Sequence, residues 1–175
     1  MKHIALFSAV MLIAAPAFAQ SVGEKSGVNS ALGISPTTAD FVKQVLISDM
    51  FELQSNKLAE ERGNAAEKAF AAIMIKDHTK TSDELKAMVK NGDVKEELPT
   101  SVDSSHQSKL DKLSGYQGAD FGSEFRSQQV SAHKDAVSLF ERYAKGGDNP
   151  KLKDWAGKTL PVLQHHWEMA QVLVK

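Results

Sequence analysis

Four long stretches of this chain carry apolar residues at the three-to-four-residue spacing of an amphipathic helix, each bounded by Gly, Asn or Pro. No stretch alternates at the two-residue period of a strand. The fold is thereby confined to helix packed on helix, with a core built from the inner faces of these segments. The first runs from Pro36 or Thr37 to about Gly63, with Ser35 as the expected cap and Pro36 suited to the first helical position. Along it Phe41, Val45, Ser48, Glu52 and Ala59 share one line. Asn64 caps a second helix that ends at Asn91-Gly92, with Phe70, Ile73, Met74, His78, Leu85, Met88 and Val89 inside. Two long helices joined by so short a turn form an antiparallel hairpin.

Gly92 to Thr100, with Pro99, is a connection. A short, mostly polar helix from Ser101 or Val102 to Leu113 follows as a surface crossover, anchored by Leu110 and Leu113. The third long helix spans Ala119 to Lys145 and stops at Gly146-Gly147; its inner face holds Phe121, Phe125, Ala132, His133, Ala136, Val137 and Phe140. Asn149 caps the last helix, and Pro150 takes its first position. Pro161 either kinks that helix or splits it near Thr159, because proline has no N–H and crowds the carbonyl one turn back. The prediction is an all-α, ferritin-like four-helix bundle with a mid-chain crossover containing a short extra helix.

The N-terminus reads as an address. Lys2 and His3, the apolar run Ile4 to Ala15, and Ala17-Phe18-Ala19 before Gln20 form the pattern of a secretory signal peptide at residues 1–19. The run is too short to span a bilayer. Residues 20–35, rich in Gly, Ser and Asn, are expected to be a flexible leader, and 36–175 the bundle domain. The mature product is expected to be soluble, with no transmembrane segment, in the periplasm or cell envelope of a bacterium. With no cysteine, neither a disulfide nor a lipid-bearing thiol can form, so the core alone must hold the fold. Losing Lys2 with the signal moves the net charge from −1 to −2, which gives no footprint for nucleic acid. The sequence names no protein partner.

The chemistry concentrates on three histidines. His78, His133 and His166 fall on the apolar stripes of three different helices, and Glu52 lies on the inner face of the remaining one. A buried imidazole costs free energy unless its nitrogens find partners. In a bundle, such positions converge on one interior point, where metal sites are built. Three imidazoles and one carboxylate suit a single Zn, Cu or Fe ion. Asp77, next to His78, is placed to orient a ligand ring, and His165 is an alternative ligand or a residue of the bundle flank. The other reading is a hydrogen-bonded polar network that fixes helix register without a ligand. Ile75, Val130 and Leu163 stand three residues before the histidines, where di-iron bundles carry Glu, which argues against a carboxylate-bridged di-iron centre. Met50, Met74 and Met169 read as core filler, and His106 as a surface residue of the crossover.

Taken together, Phe41-Val42, Glu52, Lys57-Leu58-Ala59, Asp77-His78, Leu98-Pro99, Phe121, His133 and Leu160-Pro161-x-Leu163-x-x-His166 resemble the bacterial domain of unknown function 4142 family. The resemblance runs from about Thr38 to the C-terminus. Members are exported proteins, often labelled "predicted outer membrane protein" and regarded as ferritin-like. The resemblance implies a periplasmic four-helix bundle and no settled activity. The leading functional expectation is a non-enzymatic envelope protein, in stress tolerance, whose cluster binds a transition metal. A mononuclear metal oxidoreductase and a purely structural or interaction module are the alternatives.

Overall fold

The computed structural model describes residues 22–25 and 27–174; the expected signal peptide at 1–19 lies outside them. Helix is the regular structure among the described residues, with no strand. Two single turns, α1 (Val22–Lys25) and α2 (Val28–Ala31), precede the long helices α3 (Thr38–Arg62) and α4 (Ala65–Lys90). After the short α5 (Ser104–Ser114) come α6 (Gly118–Gly146) and α7 (Pro150–Val174). No helix of the described residues is long and apolar enough to cross a membrane.

Local chemistry explains the boundaries. α4 opens with a capping box: Asn64 Oδ1 accepts from the Glu67 amide at 3.0 Å, and Glu67 accepts from the Asn64 amide at 2.8 Å. Asn149 caps α7 as expected, accepting from the Leu152 amide at 3.1 Å. The start of α3 corrects the expectation. Thr37, not Ser35, is the cap, accepting from the Asp40 amide at 3.1 Å, and Pro36 stands before the helix rather than in its first turn. α7 runs through Pro161 without the break expected as one alternative near Thr159. Proline leaves the carbonyl of Gly157 without its partner, but both residues are exposed and water can take the bond.

Packing closes the four long helices into a ring, α3 on α4, α4 on α7, α7 on α6 and α6 on α3. Their directions follow from who meets whom at the ends. Arg126 of α6 donates to Glu67 at the start of α4 at 2.6 Å, whereas Asn149 before α7 donates to the Asp93 carbonyl beyond the end of α4 at 2.8 Å. Thus α4 and α6 run the same way, and the chain between them travels the length of the molecule, with α5 on that path. Leu110 and Leu113 anchor α5, both buried. Gly122 allows the close approach of α6: a Cβ there would stand 2.6 Å from Glu67 Oε1. Gly118 begins α6 at φ +54°, a conformation in which a side chain is strained.

The stretch expected as a flexible leader contains α1 and α2 and is tied to the bundle. Glu24 is buried and accepts from Arg142 at 2.6 Å, and Arg142 also donates to the Ile34 carbonyl at 2.8 Å.

The core is layered. At one end, residues including Phe41, Val45, Leu85, Phe140, Tyr143 and Leu152 form an apolar cluster. At the other, Ala59, Phe70, Met74, Phe121, Phe125 and Ala170 form a second. Between them each long helix turns polar residues inward: Asp49, Glu52, Ser55 and Asn56; His78, Thr81 and Ser82; Gln129 and His133; and His166, all buried. This polar waist holds the candidate site.

Candidate metal centre

The three histidines meet. One ring nitrogen from each of His78, His133 and His166 lies within 4.8 Å of the others, and the ring centroids stand 5.6 to 5.7 Å apart. The residues are 3 %, 1 % and 2 % exposed, so solvent does not satisfy them. Each sits near the middle of a long helix, where the backbone is held on both sides by its own hydrogen-bond ladder.

Each ring is fixed from outside by an acceptor. His78 Nδ1 donates to Asp49 Oδ1 at 2.8 Å, His133 Nδ1 to the Gln129 carbonyl at 2.9 Å, and His166 Nε2 to Asp77 Oδ2 at 3.0 Å. Because carbonyl and carboxylate oxygens only accept, these contacts place the proton of each neutral ring on the outer nitrogen. The remaining nitrogens, His78 Nε2, His133 Nε2 and His166 Nδ1, are buried with no hydrogen-bond partner. The rings therefore do not bond to one another. Three lone pairs are left bare in the core, each on an imidazole made more basic by its acceptor.

Negative charge surrounds them. Asp49 is 4 % exposed and accepts from His78, from Thr81 Oγ1 at 3.0 Å and from Ser82 Oγ at 2.9 Å. Glu52 is 1 % exposed; its Oε2 accepts from Asn56 Nδ2 at 2.8 Å, and its Oε1 is buried without a partner. Neither carboxylate pairs with a Lys or Arg among the described residues. Buried charge without a counter-charge is costly, which makes this layer a place for a cation.

The imidazoles respond unequally. Burial resists charging His78, but the hydrogen bond it donates to Asp49 and the charges of Asp49, Glu52 and Asp77 outweigh it, and its pKa stands above the ordinary histidine value. Burial pushes His133 down; Glu52 opposes this, and charge on His78 adds to it. Burial also dominates at His166, against its Asp77 bond and with the charges of His78 and His133, bringing it down to about 4.

One sequence expectation changes here. Glu52 is in the layer, but the mutually close set contains the three imidazoles and not Glu52. Its charge reaches His78 and His133 through space. Asp77 orients His166 on α7 rather than its neighbour His78, because adjacent helical residues point about 100° apart. His165 is exposed, 3.8 Å from Glu168, and faces away from the centre. Asp49, the acceptor that fixes His78, escaped sequence reasoning; its spacing of three residues from Glu52 was the available signal.

No curated protein matches the chain. A solved structure described as CopM in the Cu(II)-bound form has the same fold: TM-score 0.67, 16 % identity, covering 81 % of this chain and 97 % of that one. The family model for Domain of unknown function (DUF4142) matches residues 23–173, and the chain belongs to that family.

Proposed function

We propose that this is an exported cell-envelope protein, a ferritin-like four-helix bundle, that holds one divalent transition-metal ion on His78, His133 and His166 without turning over a substrate. The observation that carries the reading is the set of three buried, unpartnered ring nitrogens within 4.8 Å of one another. A network kept for its own hydrogen bonds would use those nitrogens; here each ring spends one nitrogen outward and leaves the inner one bare. The donor set fits the group: three imidazoles suit Zn, Cu or Fe. Asp49, Asp77 and the Gln129 carbonyl would keep the rings aimed, while Glu52 and Asn56 would supply charge and polarity beside them. A bound zinc would supply Lewis acidity there, and copper or iron one-electron redox chemistry.

Copper is the first candidate, since it forms the most stable complexes of the divalent series with nitrogen donors. The fold neighbour described in a Cu(II)-bound form supports that choice. Export to the periplasm rests on the N-terminal pattern of residues 1–19. A mononuclear oxidoreductase is the second reading, favoured by one feature: three protein ligands leave a coordination position open.

Equilibrium titration of the metal-free protein with Cu²⁺ or Zn²⁺ tests the proposal. One ion per chain is expected, and His133→Ala is expected to abolish that binding. Unchanged uptake by the variant would refute the site. Exogenous azide entering the coordination sphere of the copper form would favour the oxidoreductase reading.

A further inference from the structure

A cavity of about 710 Å³ opens between α3, α5, α6 and the N-terminal turns, and its wall reaches inward as far as Asp49 and His78, the first imidazole of the metal centre. Asp103 and His106 line its outer part, with side chains 43 % and 25 % exposed; Asp49 and His78 line its inner part, at 5 % and 4 %. From this gradient we propose that the cavity is the path by which a hydrated divalent transition-metal ion reaches the three imidazoles, captured at the rim by Asp103 and His106 and drawn inward by Asp49. The proposal rests on the metal reading above and adds how the ion arrives.

Size permits it. Six waters at roughly 30 Å³ each occupy about 180 Å³, well under the cavity's volume of about 710 Å³, so the cavity has room for an ion with its hydration shell. The wall bears four carboxylates, Glu24, Asp49, Asp103 and Asp135, against the cations Lys43, Lys109 and Arg142, a small excess of negative charge. At the rim, His106 Nδ1 donates to Asp103 Oδ1 at 2.8 Å, which leaves Nε2 as the ring's lone-pair nitrogen beside a carboxylate. That pair offers the same donor types as the interior with fewer of them, so a captured ion can leave again. The ring of His106 packs edge-on against Phe51, 5.3 Å between centroids, which holds the pair on the wall. At the inner end stands His78, whose Nε2 is buried and unpartnered. An ion moving down this wall therefore passes from a weak, wet pair of donors to a dry and stronger set.

The experiment measures Co²⁺ association by stopped-flow absorption on the metal-free protein, with equilibrium titrations on the same samples. Two variants plug the cavity from different walls without touching an imidazole, Ser48→Phe and Ser105→Trp. A third, Asp103→Asn with His106→Gln, removes the rim donors but keeps a residue able to cap α5. Circular dichroism confirms that each variant folds, and a variant that fails is replaced by the other plug. Each plug is expected to slow association at least about tenfold while leaving the dissociation constant within about twofold, since a blocked path changes both rates alike. Loss of the rim donors is expected to slow it by about tenfold. Wild-type rates in folded plugged variants would overturn the path and leave the metal reading intact. Slowing matched by an equal loss of affinity would overturn the path too, because the site itself would then be altered. A wild-type protein that takes up no Co²⁺ would overturn both.

Discussion

The apolar ends of this bundle and its polar waist are built from the same four helices and obey different rules. In the end clusters Phe41, Phe121 and Phe125 are fully buried among apolar side chains and rings. Their contribution is area removed from water, roughly 25 cal/mol per Å². In the waist, burial runs against stability. Asp49, Glu52 and three imidazoles are hidden from water, with bare nitrogens and, among the described residues, no Lys or Arg to answer the carboxylates. The ends hold the fold together well enough for the waist to keep groups that would be cheaper in water. A layer that costs stability points to use.

Substitutions should separate the two regions, beginning with the largest effect. Phe125→Ala at one end should lose about 3–5 kcal/mol in denaturant unfolding, with metal stoichiometry retained in the folded fraction. His133→Ala in the waist should lose less in the metal-free protein, about 1–3 kcal/mol, because the Gln129 carbonyl and the polar layer lose a partner, yet it should abolish metal binding. If the two substitutions cost the same stability and spare the same binding, the contrast between ends and waist is broken. Asp49→Asn keeps the shape of the side chain but removes the charge that backs His78. It should weaken metal affinity by about 10–100-fold in an equilibrium titration.

Acid sharpens the comparison further. His133 and His166 have folded pKa values below that of the unfolded chain, so their contribution is present above about 6.5 and is lost as pH falls toward 4, the value reached by His166. His78 runs the other way, its contribution being present below 6.5 and lost as pH rises through its raised value. Because the His78 contribution is already complete below 6.5, only His133 and His166 set the slope there: the metal-free protein should lose stability between pH 6.5 and 4 in unfolding titrations, and His166→Gln should flatten that slope. The smallest effect is expected from Glu52→Gln. In the metal-free protein it removes a buried charge that no cation answers and should change stability by less than about 1 kcal/mol, while still weakening the hold on a divalent ion.

The sequence made the helices legible because their ends carry strong local chemistry. Asn64 with Glu67, Gly63 and Asn149-Pro150 act through contacts a few residues apart, which no distant packing can overrule. The convergence of His78, His133 and His166 was legible as well, since each interrupts an apolar stripe. Thr37 displaced Ser35 as cap because the helix begins two residues later than proline suggested. The middle of α3 hid Asp49 for another reason. That helix packs on α4, α5 and α6, so Ile47, Asp49, Phe51, Glu52, Ser55 and Asn56 are all buried and no single face stands out. Periodicity reports one buried side; a helix buried on several sides, with polar residues among them, erases it. The pairing of Asp77 with His166 joins residues 89 positions apart and belongs to the tertiary fold alone.

The central claim is that the bare nitrogens of the waist are ligands. Elemental analysis of the untagged protein, purified from its native source without added metal or chelator, tests it most directly. Close to one copper, zinc or iron per chain, absent from His133→Ala purified in parallel, is the expected result. A wild-type protein carrying no more metal than that variant would contradict it.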